Sequence, residues 1–370
     1  MDTQEEDRDR ALASAFNEDL GYPIVVGDDL LGQVATFARG HGGAAAILCD
    51  ANRHVRALAD RVAATAGKTP VLAFRLGESR KRLATLESVL DAMLEAGVER
   101  GRLVIGIGGG VASDLFGFAG ATYMRGVPYA HVATSLVAMV DAAIGGKTGL
   151  DLRGGKNLAG SFRDPVGVFC DVDALRSLPA RALREGLAEI VKAAVIEGGE
   201  FFEDLEVLAG HRLRTWRWSE VIASAIKVKT MVVAEDRLEA GPRERLNLGH
   251  TFAHAIERTS GYRVTHGAAV SLGLRAAGAL ALQTGRFSER EHLRVLTLLT
   301  LLGLPLQTTL PPDEILAAMH SDKKRRAGRL RFVLPRAIGD VEYGVEASDR
   351  SVRAVLARLQ RPPESFRARR

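Results

Sequence analysis

Within the first 175 residues short apolar runs alternate with amphipathic stretches, and this alternation constrains the fold more than any other feature of the chain. AAAILCD (44–50), TPVLAFRL (69–76), GRLVIGIGGG (101–110), YAHVATSL (129–136) and VGVFCDV (166–172) have the length and composition of buried strands. SRKRLATLESVLDAMLEAG (79–97) shows a helical apolar period between two of them. Such alternation predicts a largely parallel sheet covered by helices. From about residue 178 the pattern changes to long helical periods, as in ALREGLAEIVKAAVIEGG and EREHLRVLTLLTLLG, with little strand signal before RLRFVLP. The expected architecture is an α/β N-terminal domain over residues 1–175 and a mainly α-helical C-terminal domain over residues 176–370. Ligands of such folds bind at the strand ends and between domains.

At 370 residues the chain is long enough for two domains, and its 46% hydrophobic and 26% charged content is that of a globular protein. No apolar run reaches the roughly 20 residues of a bilayer span, and MDTQEEDRDR is acidic where a signal peptide is basic and then apolar. A cytoplasmic location is therefore expected. Cys49 and Cys170 sit in strand-like apolar contexts and read as reduced core residues. The net charge of +5 is small and spread along the chain, so neither a nucleic-acid nor a membrane partner is expected. The basic end, RPPESFRARR, reads as a frayed tail.

Chemistry-bearing residues concentrate in a few segments. GIGGGVASDLFGFAG (106–120) follows a strand and opens a helix, so backbone amides at a glycine turn and a helix N-terminus could take a pyrophosphate. Asp50, ending the strand AAAILCD, stands where an acid often binds the ribose of a dinucleotide. VDAAIGGKTGLDLRGGKN (140–157) gathers Asp141, Lys147, Lys156 and Asn157 around glycines, a flexible loop suited to a phosphate or carboxylate. LNLGHTFAHAIERTSGYRVTHG (246–267) holds three of the nine histidines. His250 and His254, four apart, share a helix face, and extending that helix backwards adds Asn247 and Arg243, with Pro242 at its start. The opposite face, Leu248, Phe252, Ala255 and Ile256, is core. Imidazoles at this spacing, with His266 following, are a metal-ligand arrangement. HTFAH lacks the glutamate of a zinc-protease helix, so the carboxylate has to come from elsewhere, and Glu189, beside Lys192 in GLAEIVKAAVIEGG, can supply it. Lys229, Lys323 and Lys324 add charge further along.

These segments together resemble the 3-dehydroquinate synthase family of sugar phosphate cyclases over nearly the whole chain. The matching stretches are GYPIVVGDDLL, GESRK, GGGVASDLFGFAGATYMRG, ATSLVAMVDAAIGGKTGLDLRGGKN, GLAEIVK, RERLNLGHTFAHAIE, VTHG, and SDKK with GRLRFVLP. The resemblance implies a dehydroquinate synthase-like fold whose α/β domain binds a dinucleotide and whose helical domain binds metal and substrate. It implies that Glu189, His250 and His266 ligate a zinc or cobalt ion and that His254 faces substrate. It assigns substrate contacts to Asp141, Lys147, Asn157, Lys192, Lys229, Arg243, Asn247 and Lys323, and to Arg125, which reaches across a homodimer. It assigns NAD contacts to Asp50, Glu78, Lys81, Gly109, Gly110, Val111, Asp114, Thr134, Ser135, Lys147 and Lys156.

The implied reaction turns a seven-carbon keto-acid sugar phosphate into a cyclic ketone, with NAD consumed and regenerated in each turnover. Oxidising a ring hydroxyl acidifies the neighbouring C–H and allows phosphate to leave, while the metal acts as a Lewis acid on adjacent oxygens. Which cation holds the phosphate and which the carboxylate is left open by the sequence. Family alternatives are an aminodehydroquinate synthase and a cyclase of sedoheptulose 7-phosphate, and a more remote one is a metal-dependent polyol dehydrogenase. The chain departs from the family pattern with Ala133 for proline, Ser113 and Ala253 for glycines, and Ala268 for a glutamate beside His266.

Overall fold

The computed structural model describes residues 15–17, 19–323 and 329–363. The acidic N-terminal decapeptide, Lys324 and all but the first residues of the basic C-terminal end lie outside them. The described chain forms two compact units, one reaching to Leu183 and including Trp218–Ala234, the other made of Arg184–Arg217 and the residues from Glu235 onward.

The first unit is built on a seven-stranded sheet. Its strands are β1 (Ala15–Asn17), β2 (Ile24–Gly27), β3 (Ala44–Asp50), β4 (Val71–Phe74), β5 (Leu103–Gly108), β6 (Tyr129–Ala133) and β9 (Gly167–Asp171), in the order β1-β2-β9-β6-β5-β3-β4. All pairings are parallel except β1 with β2. Five strands coincide with the apolar runs of the sequence. The inner strands are almost wholly apolar because both faces of the sheet are covered there, while the edge strand β4 is only partly buried. Ile47, Ile105, Val132 and Phe169 pack on one face with Val34 of α1 (Leu31–Gly40) and Val62 of α2 (Arg53–Thr65). Leu48 and Val104 point the other way, towards Val89 and Met93 of α3 (Leu83–Glu95) and Phe116 of α4 (Gly110–Thr122).

The segment expected to be a flexible loop around Lys147 is ordered instead. A short π-helix, Ala138–Ala142, leads into an antiparallel hairpin of β7 (Lys147–Leu152) and β8 (Gly155–Phe162). Close backbone contact explains the glycines here: a Cβ on Gly149 would meet the carbonyl oxygen of Ala159 at 2.7 Å, and one on Gly160 that of Thr148 at 2.1 Å. The glycines thus serve packing across a ladder and not mobility.

The second unit is mainly helical. Its helices include α5 (Ala180–Glu197, whose first turn belongs to the first unit), α6 (Gly199–Ala209), α8 (His250–Thr259), α9 (His266–Gln283), α10 (Glu289–Leu301), α11 (Pro312–Lys323) and α12 (Asp349–Arg358); α7 (Trp218–Glu235) packs with the first unit. The only sheet among its described residues is the hairpin of β10 (Arg331–Ala337) and β11 (Asp340–Glu346).

One expectation fails instructively. Arg243 and Asn247 do not share a helix with the histidines: Pro242–Asn247 is a tight 3-10 turn, and α8 starts afresh at His250. Gly249 breaks the run, with φ +79° in the left-handed region and its Cα against the Gly273 backbone of α9, where a Cβ would come within 2.9 Å. Gly249→Ala should therefore combine the roughly 1–2 kcal/mol of a left-handed non-glycine residue with a backbone clash. The expected result is a lower denaturant midpoint at an unchanged slope; an unaltered midpoint would show that the turn tolerates a side chain.

Candidate metal centre and dinucleotide cradle

The chemistry of the second unit centres on Glu189, in the middle of α5. The residue is 2% exposed, and its carboxylate meets three partners. Lys192 Nζ lies 2.6 Å from Oε2, His266 Nε2 2.9 Å from Oε1 and His250 Nε2 3.6 Å from Oε1. One ligand atom from each of Glu189, His250 and His266 lies within 4.8 Å of the others. Both imidazoles turn Nε2 inward because their Nδ1 atoms are engaged elsewhere: that of His250 lies 3.3 Å from the Leu248 carbonyl oxygen, and that of His266 3.6 Å from Glu257 Oε2. Outer partners of this kind fix tautomer and ring direction in metal sites.

The protonation pattern follows from charge and burial. Burial pushes the Glu189 carboxyl up, but the Lys192 ammonium and then the two imidazoles outweigh it and hold the group well below the usual carboxylate range. Burial, and then Lys192, lower His250 to about 3, so its imidazole is neutral and its Nε2 a ready donor. His266 is also opposed by burial, yet hydrogen bonding to Glu189 and the nearness of Glu257 raise it to about 10. An anionic oxygen and two imidazole nitrogens converging on one point suit a zinc- or cobalt-like cation, which would displace the His266 proton. As a ligand set, three protein groups would leave a fourth position open, as catalytic zinc sites do.

His254 stands exposed beside the triad, its ring 5.4 Å from that of His250. Arg243 is buried and donates through Nη1 to the Arg237 carbonyl, and its backbone N–H donates to Asp236. Asn247 Nδ2 donates to Glu239 at 3.0 Å. Lys323 ends α11, and its side chain lies outside the described residues.

In the first unit the cofactor candidates gather at the C-terminal ends of β3 and β5, where the strand order reverses and parallel sheets bind ligands. Asp50 ends β3 and accepts from the Asn52 N–H, close to where a Gly108 Cβ would lie, 3.8 Å from its own Cβ. Gly109 caps α4 without a side-chain bond, and a Cβ there would meet Ser135 Oγ at 3.0 Å. Val111 lies in the first turn of α4 and Thr134 is buried just past β6, its N–H donating to the Gly108 carbonyl. Lys81 Nζ bridges Asp114 and Asn157 at 2.5 Å each, and Lys156 pairs with Glu78 at 2.5 Å. Burial pushes the Asp114 carboxyl up, against the pull of Lys81. Lys229 donates to the Asp141 carbonyl at 2.5 Å and to its carboxylate. Lys147 is exposed at the start of β7, and Arg125 is exposed with φ +66°. Asn157, read from sequence as a substrate contact, thus lies with Lys81 and Asp114.

Two acids at the triad escaped the sequence reading. Glu257 is seven residues after His250, hence on the same helix stripe, and that spacing could have shown it. Glu185 shares the Glu189 face of α5, but its carboxylate accepts from the Gly267 N–H at 2.5 Å, a partner 82 residues away that no local spacing reveals.

A parallel-sheet nucleotide cradle together with a buried carboxylate–imidazole triad defines a dinucleotide- and metal-dependent class of enzyme. Residues 71–185 match the family model for the 3-dehydroquinate synthase N-terminal region, and residues 186–325 that for the C-terminal region. 3-Dehydroquinate synthase of Desulforamulus reducens is 38% identical over 352 residues, covering 92% of this chain and 98% of its own, and that of Symbiobacterium thermophilum is 39% identical over 356 residues with the same coverage. Among solved structures, 2-epi-5-epi-valiolone synthase of Streptomyces hygroscopicus, with NAD+ and Zn2+ bound, has a TM-score of 0.84 at 32% identity, covering 94% of this chain and 98% of its own. A 2-deoxy-scyllo-inosose synthase with carbaglucose-6-phosphate, NAD+ and Co2+ shares the fold, with a TM-score of 0.82 at 24% identity over 90% of this chain and 96% of its own. The chain belongs to the 3-dehydroquinate synthase family.

If Glu189, His250 and His266 hold the metal, His250→Ala should abolish tight zinc binding in a chelator-competition titration and remove turnover with it. Undiminished zinc affinity in that variant would refute the ligand set.

Proposed function

We propose that the chain is a 3-dehydroquinate synthase, converting 3-deoxy-D-arabino-heptulosonate 7-phosphate into 3-dehydroquinate and phosphate, with NAD and a divalent metal. The observation that carries this is the convergence of Glu189, His250 and His266 beside Lys192 in a chain that aligns nearly end to end with 3-dehydroquinate synthases. When bound, NAD accepts and returns a hydride, and the metal polarises the oxygens of the carbon being oxidised.

The residues of the chain do the rest. Residues 1–175 would hold NAD, with the amide end of α4 and Asp50 as the groups offered to its phosphates and ribose; residues 176–370 would supply the metal ligands and further substrate contacts. Lys192 keeps Glu189 ionised and would add a cation beside the oxygens that a bound metal polarises. Arg243, its backbone N–H held by Asp236, and Asn247, bonded to Glu239, would offer donors to an anionic end of the substrate; Lys147 and Lys229 of the first unit are further candidates for such contacts. His254, exposed beside the triad, would exchange protons with substrate or departing phosphate. The protein works as a cytoplasmic homodimer to which Arg125 contributes across the interface. Among its described residues no helix is long and apolar enough to cross a membrane.

A second reading, a cyclase of sedoheptulose 7-phosphate, draws on the likeness to 2-epi-5-epi-valiolone synthase. Phosphate release by zinc-loaded protein with NAD separates the two: the heptulosonate phosphate should be turned over far faster than sedoheptulose 7-phosphate or the amino analogue. Preference for either competitor would move the chain to another reaction of the family. Arg243→Lys keeps the charge but loses the planar fork, so loss of charge-assisted bonds of about 1.5–3 kcal/mol should raise KM for the acid substrate roughly 10- to 100-fold without changing NAD affinity. An equal loss of NAD affinity would contradict this role.

A further inference from the structure

α9 begins on the metal-ligand candidate His266 with no cap of its own. Thr265, at the N-cap position, makes no side-chain cap bond, and the first turn contains no acidic residue. The amide groups of such a turn need acceptors, and its positive dipole end favours a nearby carboxylate. Both needs are met from another helix. Glu185 of α5 places Oε2 2.5 Å from the Gly267 N–H.

The two helices touch backbone to backbone at this point. A Cβ on Gly267 would fall 2.4 Å from the Glu185 Cα and 2.5 Å from its carbonyl oxygen, so glycine is required for the approach. Glu185 also stands four residues before Glu189 and shares its face of α5. That face therefore carries two carboxylates with separate tasks. Glu189 meets the imidazoles, and Glu185 grips the end of the helix from which His266 projects.

We propose that Glu185 is a positioning residue of the metal centre: by capping α9 across the helix contact, it sets the height and direction of His266 Nε2 relative to Glu189. The mechanism is geometric. With the cap in place, the first turn of α9 is fixed one residue from the ligand, and the 2.9 Å separation of His266 Nε2 from Glu189 Oε1 is held before any cation arrives. Without it, the first turn can fray, and His266 must be ordered by the metal at the expense of affinity. The inference rests on the triad reading of the proposed function.

The test compares metal-free wild type with Glu185→Ala, Glu185→Gln and a control, Ser288→Ala, which removes the side-chain cap of α10 in the same unit. Zinc affinity is measured by competition with a chromophoric chelator well below each melting temperature, alongside the visible spectrum of the cobalt-loaded protein. Glu185→Ala should bind zinc about 10- to 100-fold more weakly with an altered cobalt spectrum. Glu185→Gln, whose amide oxygen can still accept from Gly267, should fall between it and wild type. Ser288→Ala should melt lower with zinc affinity unchanged. Wild-type zinc affinity and cobalt spectrum in Glu185→Ala would overturn the proposal, as would an equal zinc loss in Ser288→Ala. Should Glu185→Ala fail to fold, Glu185→Ser, too short to reach the Gly267 N–H, replaces it, and wild-type zinc affinity in that variant overturns the proposal. Wild-type protein that takes up no zinc would bring down the triad reading itself.

Discussion

A single carboxylate, that of Glu189, organises the second unit. Burying an ion is costly unless opposite charge and hydrogen bonds surround it, and here an ammonium and two imidazoles do so. The same arrangement that tolerates the charge presents a donor set to a cation. Stability and the proposed metal affinity would therefore be linked, since Glu189 or His250 left unsatisfied is a buried polar group without compensation. Lys192 is central to this balance: it holds Glu189 ionised and helps keep His250 neutral.

Bringing three candidate ligands from three helices to one point requires close helix contacts, and glycines provide them. Gly249 faces the Gly273 backbone at the start of α8, and Gly267 faces Glu185 at the start of α9. Each contact lies one residue from a histidine of the triad. Ligand geometry is thereby set by main-chain packing, which is stiffer than side-chain packing because it has no rotamers to absorb error. The first unit follows a similar logic, where Gly108 and Gly109 let β5 pass into α4 against Ala112 and Ser135.

Much of this was legible in the sequence, for definable reasons. The buried parallel strands appear as unbroken apolar runs because both sheet faces are covered. The histidine pair of α8 was visible from its spacing of four. Periodicity failed where the backbone departs from it. The left-handed Gly249 ends one turn and starts a helix within two residues, so extending the helical period back to Arg243 gave a face that does not exist. The β7–β8 hairpin was hidden because its glycines, read as signs of mobility, serve strand-to-strand contact. Glu185 was beyond reach for another reason: its role is a contact with Gly267, 82 residues away, and no local pattern encodes it.

X-ray absorption at the zinc edge of the metal-loaded protein tests the central claim most directly. The account predicts two imidazole nitrogens with oxygen ligands completing the shell, and no sulfur, since Cys49 and Cys170 are buried in the first unit's sheet. A sulfur shell, or a shell with no imidazole scattering, would contradict a centre built on Glu189, His250 and His266.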